Sequence, residues 1–187
     1  MQSFFDFIAS FTILADTSRE ALEKLLQRHE LPKCYQLVRP GSVCHYMYFI
    51  EKGLTRTFYI KDGKDVTDWI SVDHTIAVSI ISFITRQPDR RGIQLLEDSI
   101  LYSLSNTDLE NLCREYHDIE RMVRLILNYG IVELQRRFDD LHFATAHDRY
   151  QHIITNHPSL LERVPLGVIA SWLGITQETL SRIRAQK

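Results

Sequence analysis

The spacing of apolar residues changes period twice along this chain, and that change limits the fold more than any single motif does. From Phe4 to Leu26 apolar residues recur at helical spacing: Phe4, Phe7, Ile8, Phe11 and Leu14, then Leu22, Leu25 and Leu26. Ser18 is placed to cap the second of these helices and Pro32 to stop it. From Tyr35 to Ser105 the helical period vanishes. Short runs rich in Val, Ile, Tyr, Phe and Thr are separated by the turn pairs Pro40-Gly41, Lys52-Gly53 and Asp62-Gly63. Asp62-Gly63 between alternating runs is a tight-hairpin signal, because only residues that tolerate φ > 0 fit such a turn. Strands at this short, regular spacing point to a small antiparallel barrel or jelly roll. Ile100–Ser105 reads as its closing strand, and Asp73 to Gly92 as a strand–helix–loop insertion.

From Thr107 onward the helical period returns. Asn106 or Thr107 is positioned to cap a short helix over Leu109 and Leu112. A long helix follows over Ile119 to Leu141 with two apolar stripes. One runs Ile119, Val123, Leu127, Ile131, Leu134, Phe138 and Leu141; the other runs Met122, Ile126, Tyr129 and Val132. A helix on the outside of a monomer needs only one stripe. Two stripes imply burial on two sides, against the barrel and against a second copy, or else a central helix of a monomer. On the first reading Met122, Ile126, Tyr129 and Gly130 are the expected dimerisation contacts. Gly130 there allows close backbone approach at a cost of about 1 kcal/mol relative to Ala. A further helix spans about Thr145 to Asn156, ends at His157-Pro158, and is followed by one that opens at Pro165.

Composition excludes the more specialised classes. With 187 residues, 44% hydrophobic, 25% charged and a net charge of −2, the chain reads as an ordinary globular protein with a core large enough to need no staples. Cys34, Cys44 and Cys113 form no CxxC and read as free thiols of a reducing compartment. The apolar N-terminus has no basic residue before Arg19 and is interrupted by Asp6, unlike a signal peptide. The most apolar internal run, Ile76 to Ile84, is far shorter than the roughly 20 residues that span a bilayer. A cytoplasmic protein with no membrane partner is expected.

The sharpest functional signal lies in Val168–Ile183. A helix-turn-helix needs a small residue where its second helix crosses the first, and Ala170 supplies it. It also needs a left-handed residue to end the first helix, which Gly174 provides. Ile175 tucks under the turn, Thr176 suits the next N-cap, and Leu180 with Ile183 holds the second helix to the first. The outward face of that helix carries Gln177, Glu178, Ser181, Arg182 and Arg184. Arg suits guanine, Gln suits adenine, Glu accepts from cytosine, and Ser or Thr reaches phosphate. A generic helical hairpin with a solvated polar face is the plainer alternative, but it would need no particular residue order. The segment Leu141–Lys187 holds five Lys/Arg against three Asp/Glu, a mild basic bias toward the end proposed to meet phosphates.

With these residues in view, the whole chain resembles a Crp/Fnr-type transcription regulator. The resemblance rests on Pro40-Gly41, on Tyr48–Gly53 with Arg56, on Leu96-Glu97-Asp98, on Ala146–Tyr150, on Val164-Pro165 and on the string Ile169–Arg184. It implies an α+β fold: an N-terminal antiparallel β-roll or jelly roll of cyclic-nucleotide-binding-like type with flanking helices, a long dimerisation helix and a C-terminal helix-turn-helix. The implied boundaries are a sensor domain at 1–117, dimerisation helix and hinge at 118–143, and DNA-binding domain at 144–187. It further implies a bacterial homodimer on double-stranded DNA with Thr176, Gln177, Glu178, Ser181, Arg182 and Arg184 at the interface. Its two half-sites would lie about one helical turn apart. RNA polymerase and an unidentified small-molecule effector are the other partners it implies. The chain stops three residues after Arg184, so the wing that follows the recognition helix in such regulators is expected to be missing. A ligand-sensing or scaffold dimer whose helix-turn-helix no longer binds DNA is therefore the alternative.

The sensor half departs from the family's cyclic-nucleotide binders, which use Gly-Glu and Arg-Ser pairs in the insertion. Here Asp73–Ile80 has no Gly-Glu, and Asp89-Arg90 stands in place of Arg-Ser. A carboxylate there repels a phosphate, so dependence on cyclic AMP is not expected. Arg86, Arg90 and Arg91 form a candidate effector pocket for another anion, with a solvated loop as the alternative. No cofactor is expected, since an iron–sulfur cluster typically takes four clustered cysteines. A cupin-like metal enzyme would need more than His45, His74, Glu51 and Asp68, and neither a nucleophile elbow nor a phosphate loop occurs. No catalytic or metal-binding residue is assigned, and an enzyme is not expected.

Overall fold

The computed structural model describes residues 1–185. Helices α1 (Gln2–Ala9) and α2 (Asp16–Leu25) lead into strand β1 (Gln27–Leu31), so the second helix ends seven residues before Pro32, which does not stop it. The mostly polar run Gln27–Leu31 is drawn into the sheet by backbone pairing along the closing strand, which outweighs its weak strand pattern. Ser18 is not the cap of α2. It lies inside the first turn, where its Oγ donates to Asp118 Oδ1 at 2.7 Å, while Asp118 Oδ2 accepts from the Ala15 N–H at 2.8 Å. A carboxylate from a distant helix thus satisfies the N-terminus of α2.

The remaining elements of the roll are β2 (Gln36–Val38), β3 (Tyr46–Lys52), β4 (Thr55–Lys61), β5 (Lys64–Ser71), β6 (Ile76–Ala77), α3 (Ile80–Thr85), β7 (Gly92–Leu95) and β8 (Ser99–Ser105). They form two four-stranded antiparallel sheets, ordered β1-β8-β3-β6 and β2-β7-β4-β5. The expected hairpin is present: Lys61 pairs with Lys64, and Asp62 and Gly63 between them have φ of 52° and 73°. Tyr48 is buried, its hydroxyl donating to the Leu37 carbonyl at 3.4 Å, and burial pushes that phenol well above its ordinary pKa. Phe49 is buried among the rings of Phe4 and Phe7, which lock α1 onto the roll.

Gly53 is the glycine this roll can least spare. Its φ is 129°, its N–H donates to Asp73 Oδ1 at 2.7 Å, and a Cβ there would collide with the Ser99 side chain. Gly53→Ala is therefore expected to lower stability by about 2–4 kcal/mol, from left-handed strain together with overpacking. Urea unfolding followed by circular dichroism checks this, and a midpoint equal to wild type would refute it.

Helix α4 (Asn106–Glu115) is capped by Ser105, whose Oγ accepts from the Asp108 N–H at 3.0 Å, one residue earlier than the expected caps. Helix α5 (His117–Phe143) runs 27 residues, and a short link leads to α6 (Ala146–Asn156). The chain then forms α7 (Leu160–Arg163), a single turn not evident from the spacing, followed by α8 (Leu166–Trp172) and α9 (Gln177–Ala185). Among the described residues no helix is long and apolar enough to cross a membrane.

Candidate nucleic-acid interface

The C-terminal unit is built from backbone capping outward. Thr145 and Asp148 form a reciprocal capping box at the start of α6. Helix α8 ends in a Schellman turn: Gly174, at φ 70°, donates to the Ser171 carbonyl, and Ile175 donates to the Ala170 carbonyl, both at 3.0 Å. Thr176 Oγ1 then accepts the Thr179 N–H at 3.1 Å and caps α9. Ile169, Ala170, Leu173 and Leu180 are buried with Tyr150, Ile153, Leu160 and Val164 in one apolar cluster. Thr176, Gln177, Glu178, Ser181, Arg182 and Arg184 are left exposed, and all but Arg184 line one open cleft on the surface of α9. Among the described residues, no hydrogen bond or ion pair engages the side chains of Gln177, Glu178, Ser181, Arg182 or Arg184. An exposed polar row with uncommitted donors, carried on a rigid two-helix frame, has the geometry needed to enter a groove of a duplex.

This unit rests on the roll. Leu54, Ile70 and Leu96 of the roll belong to the same buried cluster as the core of the helix-turn-helix. The N–H of Thr67, on edge strand β5, donates to Ser171 Oγ of α8 at 2.8 Å. Arg163 at the end of α7 is held between two carboxylates of the roll, with Nη1 2.5 Å from Asp73 Oδ2 and Nη2 2.5 Å from Glu97 Oε1. Burial pushes the Asp73 carboxyl up, but hydrogen bonds from Arg163 and from the Gly53 amide outweigh it and hold the group below the usual carboxylate range. Glu97 and Asp73 in turn raise the Arg163 guanidinium above its ordinary value. On the other side, Arg137 of α5 stacks over the Trp172 ring and donates to the Trp172 carbonyl, and burial lowers its pKa. None of these docking residues was singled out from spacing as a site, because each pairs with a residue far away in the chain.

The expected dimer contacts divide between two environments. Met122 is only 3% exposed, in the core formed with the roll, and Ile126 packs against that core. Both are thus used within one chain. Tyr129 is 52% exposed, with its ring 5.6 Å from that of Phe11, and a Cβ on Gly130 would meet nothing within 4 Å. Burial divides along the length of α5: Ile119, Met122, Val123 and Ile126 meet the core, while Tyr129 and Val132 are exposed together with Leu127, Ile131, Leu134, Phe138 and Leu141, of which Ile131 is exposed to 64%. The last five form one row. Their steps of four, three, four and three residues are the seam of a coiled coil.

The three arginines of the candidate effector pocket do not converge. Arg86 donates to the Cys44 carbonyl and faces His45 Nδ1, each at 3.0 Å. Arg90 lies over the Tyr59 ring. Arg91 Nε donates to Asp68 Oδ2 at 2.6 Å, and its Nη1 is 3.5 Å from Asp89 Oδ2. That Asp89 oxygen also accepts from Ser79 Oγ at 3.0 Å. The residues weighed for a cupin site are likewise engaged apart, Glu51 with the N-terminal ammonium and Asp68 with Arg91. Among the described residues no group of three or more His, Cys, Asp and Glu is arranged to hold a metal ion.

A roll of two antiparallel sheets, a long helix and a C-terminal helix-turn-helix together make the Crp/Fnr-type fold. The chain is similar to FixK2 from Bradyrhizobium japonicum at 16% identity and a TM-score of 0.71, covering 86% of this chain and 83% of that one. It is similar to a chain from Eubacterium rectale described as of the Crp/Fnr family, at 13% identity and a TM-score of 0.71, covering 92% and 83%. It is also similar to the c-di-GMP responsive global regulator CLP of Xanthomonas campestris, at 16% identity and a TM-score of 0.71, covering 92% and 91%. No family model matches the sequence, and no curated protein does.

Proposed function

We propose that this protein is a transcription regulator that binds double-stranded DNA as a homodimer, reading base edges with Gln177, Glu178 and Arg182. The observation that carries this reading is the uncommitted polar row on α9, set on a helix-turn-helix frame whose turn is closed by the Schellman bonds and the Thr176 cap. Thr176, Ser181 and Arg184 lie beside these three on the same exposed surface and suit phosphate contacts. The partner in the dimer is a second copy, supported by the exposed seam from Leu127 to Leu141 on α5. The similar proteins include a regulator of the Crp/Fnr family and a global regulator, which agrees with this class. The test is selection from a randomised duplex pool by the full-length protein at physiological salt, followed by fluorescence anisotropy on the winner. Enrichment of a two-fold symmetric site is expected. Binding that stays uniform across sequences would reject base reading.

Regulation by cyclic AMP does not form part of this proposal. Asp89 places a carboxylate beside Ser79, and Arg91 is already shared between Asp89 and Asp68. An incoming cyclic phosphate would face that carboxylate and would have to displace an ion pair. Titration calorimetry with cyclic AMP is expected to give no binding heat at micromolar ligand. Saturation in that range would overturn the expectation.

A further inference from the structure

We infer that Arg163, held between Asp73 and Glu97, is a positioning residue that fixes the angle of the reading head and hence the half-site spacing the dimer accepts. The inference rests on the DNA reading proposed above. A single guanidinium takes two carboxylates from two different turns of the roll, with additional contacts at 3.3 Å to Asp73 Oδ1 and to Glu97 Oε2. A planar fork engaged on both sides has one orientation, whereas an ammonium in its place would have many. Arg163 closes α7 only three residues before α8 starts, and Val164 between them is buried. The clamp therefore pins the start of α8, and the shared core of α8 and α9 carries that position to the recognition row.

The rest of the junction explains why a clamp matters. Only Ala144 and Thr145 separate α5 from α6, so the unit turns about a two-residue hinge. Arg149 gathers the carbonyls of Asp140, Ala144 and Leu173 at that hinge. Holding an angle about a hinge requires a contact to a second body, and the roll is that body. Its apolar contribution comes from Leu54, Ile70 and Leu96 with Val72 packed against them, and its polar contribution includes the Thr67–Ser171 bond and the clamp. A dimer reads two half-sites at one separation only if both heads are held at fixed angles.

The test uses the full chain as wild type, Arg163→Gln, Arg163→Lys and Glu97→Gln. Glu97→Gln leaves the Asp73 bond to Gly53 intact, so it reports on the clamp even if Arg163→Gln folds poorly. Two readouts are taken. Exchange of the Thr67 amide reports docking directly, since its acceptor is Ser171 of the head. The distribution of half-site spacings in duplexes selected from a randomised pool reports the function. Arg163→Gln is expected to raise Thr67 exchange by about tenfold and to broaden the selected spacings, with Glu97→Gln changed in the same direction. Arg163→Lys is expected to fall between them and wild type, because a point charge meets one carboxylate well but not two. Unchanged Thr67 exchange in both Arg163→Gln and Glu97→Gln overturns the clamp. Faster exchange with an unchanged, narrow spacing overturns its role in spacing. If wild type selects no duplex while its Thr67 amide stays protected, the DNA reading and the spacing role fall, and the docking clamp stands.

Discussion

Replacing Ile131 and Leu134 together by glutamate is expected to yield folded monomers that lose DNA affinity by a hundredfold or more. Both side chains are more than half exposed in the single chain, so nothing inside it depends on them. In a dimer they occupy successive positions of a seam that also contains Leu127, Phe138 and Leu141. Burying such a side chain contributes about 1.5–3 kcal/mol, and a carboxylate in the same place must instead be desolvated beside its own symmetry mate. The DNA loss follows from valency: two linked heads bind the second half-site at high effective concentration, and separate heads do not. Sedimentation velocity and anisotropy on the selected duplex measure the two effects. A variant that remains dimeric would place the interface elsewhere. Met122→Glu provides the contrast, since Met122 lies in the core of its own chain and its replacement is expected to unfold the protein rather than split it.

Arg182→Ala is the second large effect. If Arg182 holds a guanine edge, its loss costs about 1–3 kcal/mol per half-site, and the two symmetric contacts of a dimer double that. The selected duplex should then bind at least tens of times more weakly. Discrimination should relax at the one base position that Arg182 reads, on each half-site. Thermal stability should not move, because the side chain is exposed and has no partner among the described residues. Equal weakening on every sequence, with a flatter salt dependence, would instead assign Arg182 to a phosphate.

The helix-turn-helix was legible from residues 168–183 alone, since each of its requirements is local. A left-handed glycine, an N-cap hydroxyl and a small residue at a helix crossing all act within a few positions of one another. Gly174, Thr176 and Ala170 occupy those roles in the structure. The Asp62-Gly63 hairpin was legible for the same reason. Strand β1 was not. Its residues carry little strand pattern, and they are held by pairing with β8, 68 to 76 positions away. Both stripes of α5 were visible, but which length of them the roll covers was not. The choice depended on where α1, α4 and the roll sit, and these cover Ile119, Met122, Val123 and Ile126 while leaving the 127–141 seam open.

By itself, then, the sequence determined the order of the parts, two helices, a roll, a long helix and a helix-turn-helix, together with the chemistry of the row on α9. Those follow from hydrophobic period and from turn and cap residues, which act over a single turn of chain. Only the tertiary structure decided where the parts touch: Arg163 between Asp73 and Glu97, Ser171 on the edge of β5, and Arg91 between Asp68 and Asp89. Charge pairing depends on distance in space and carries no periodic mark along the chain. An arginine three residues before a helix therefore looks like any other until the fold brings its carboxylates to it.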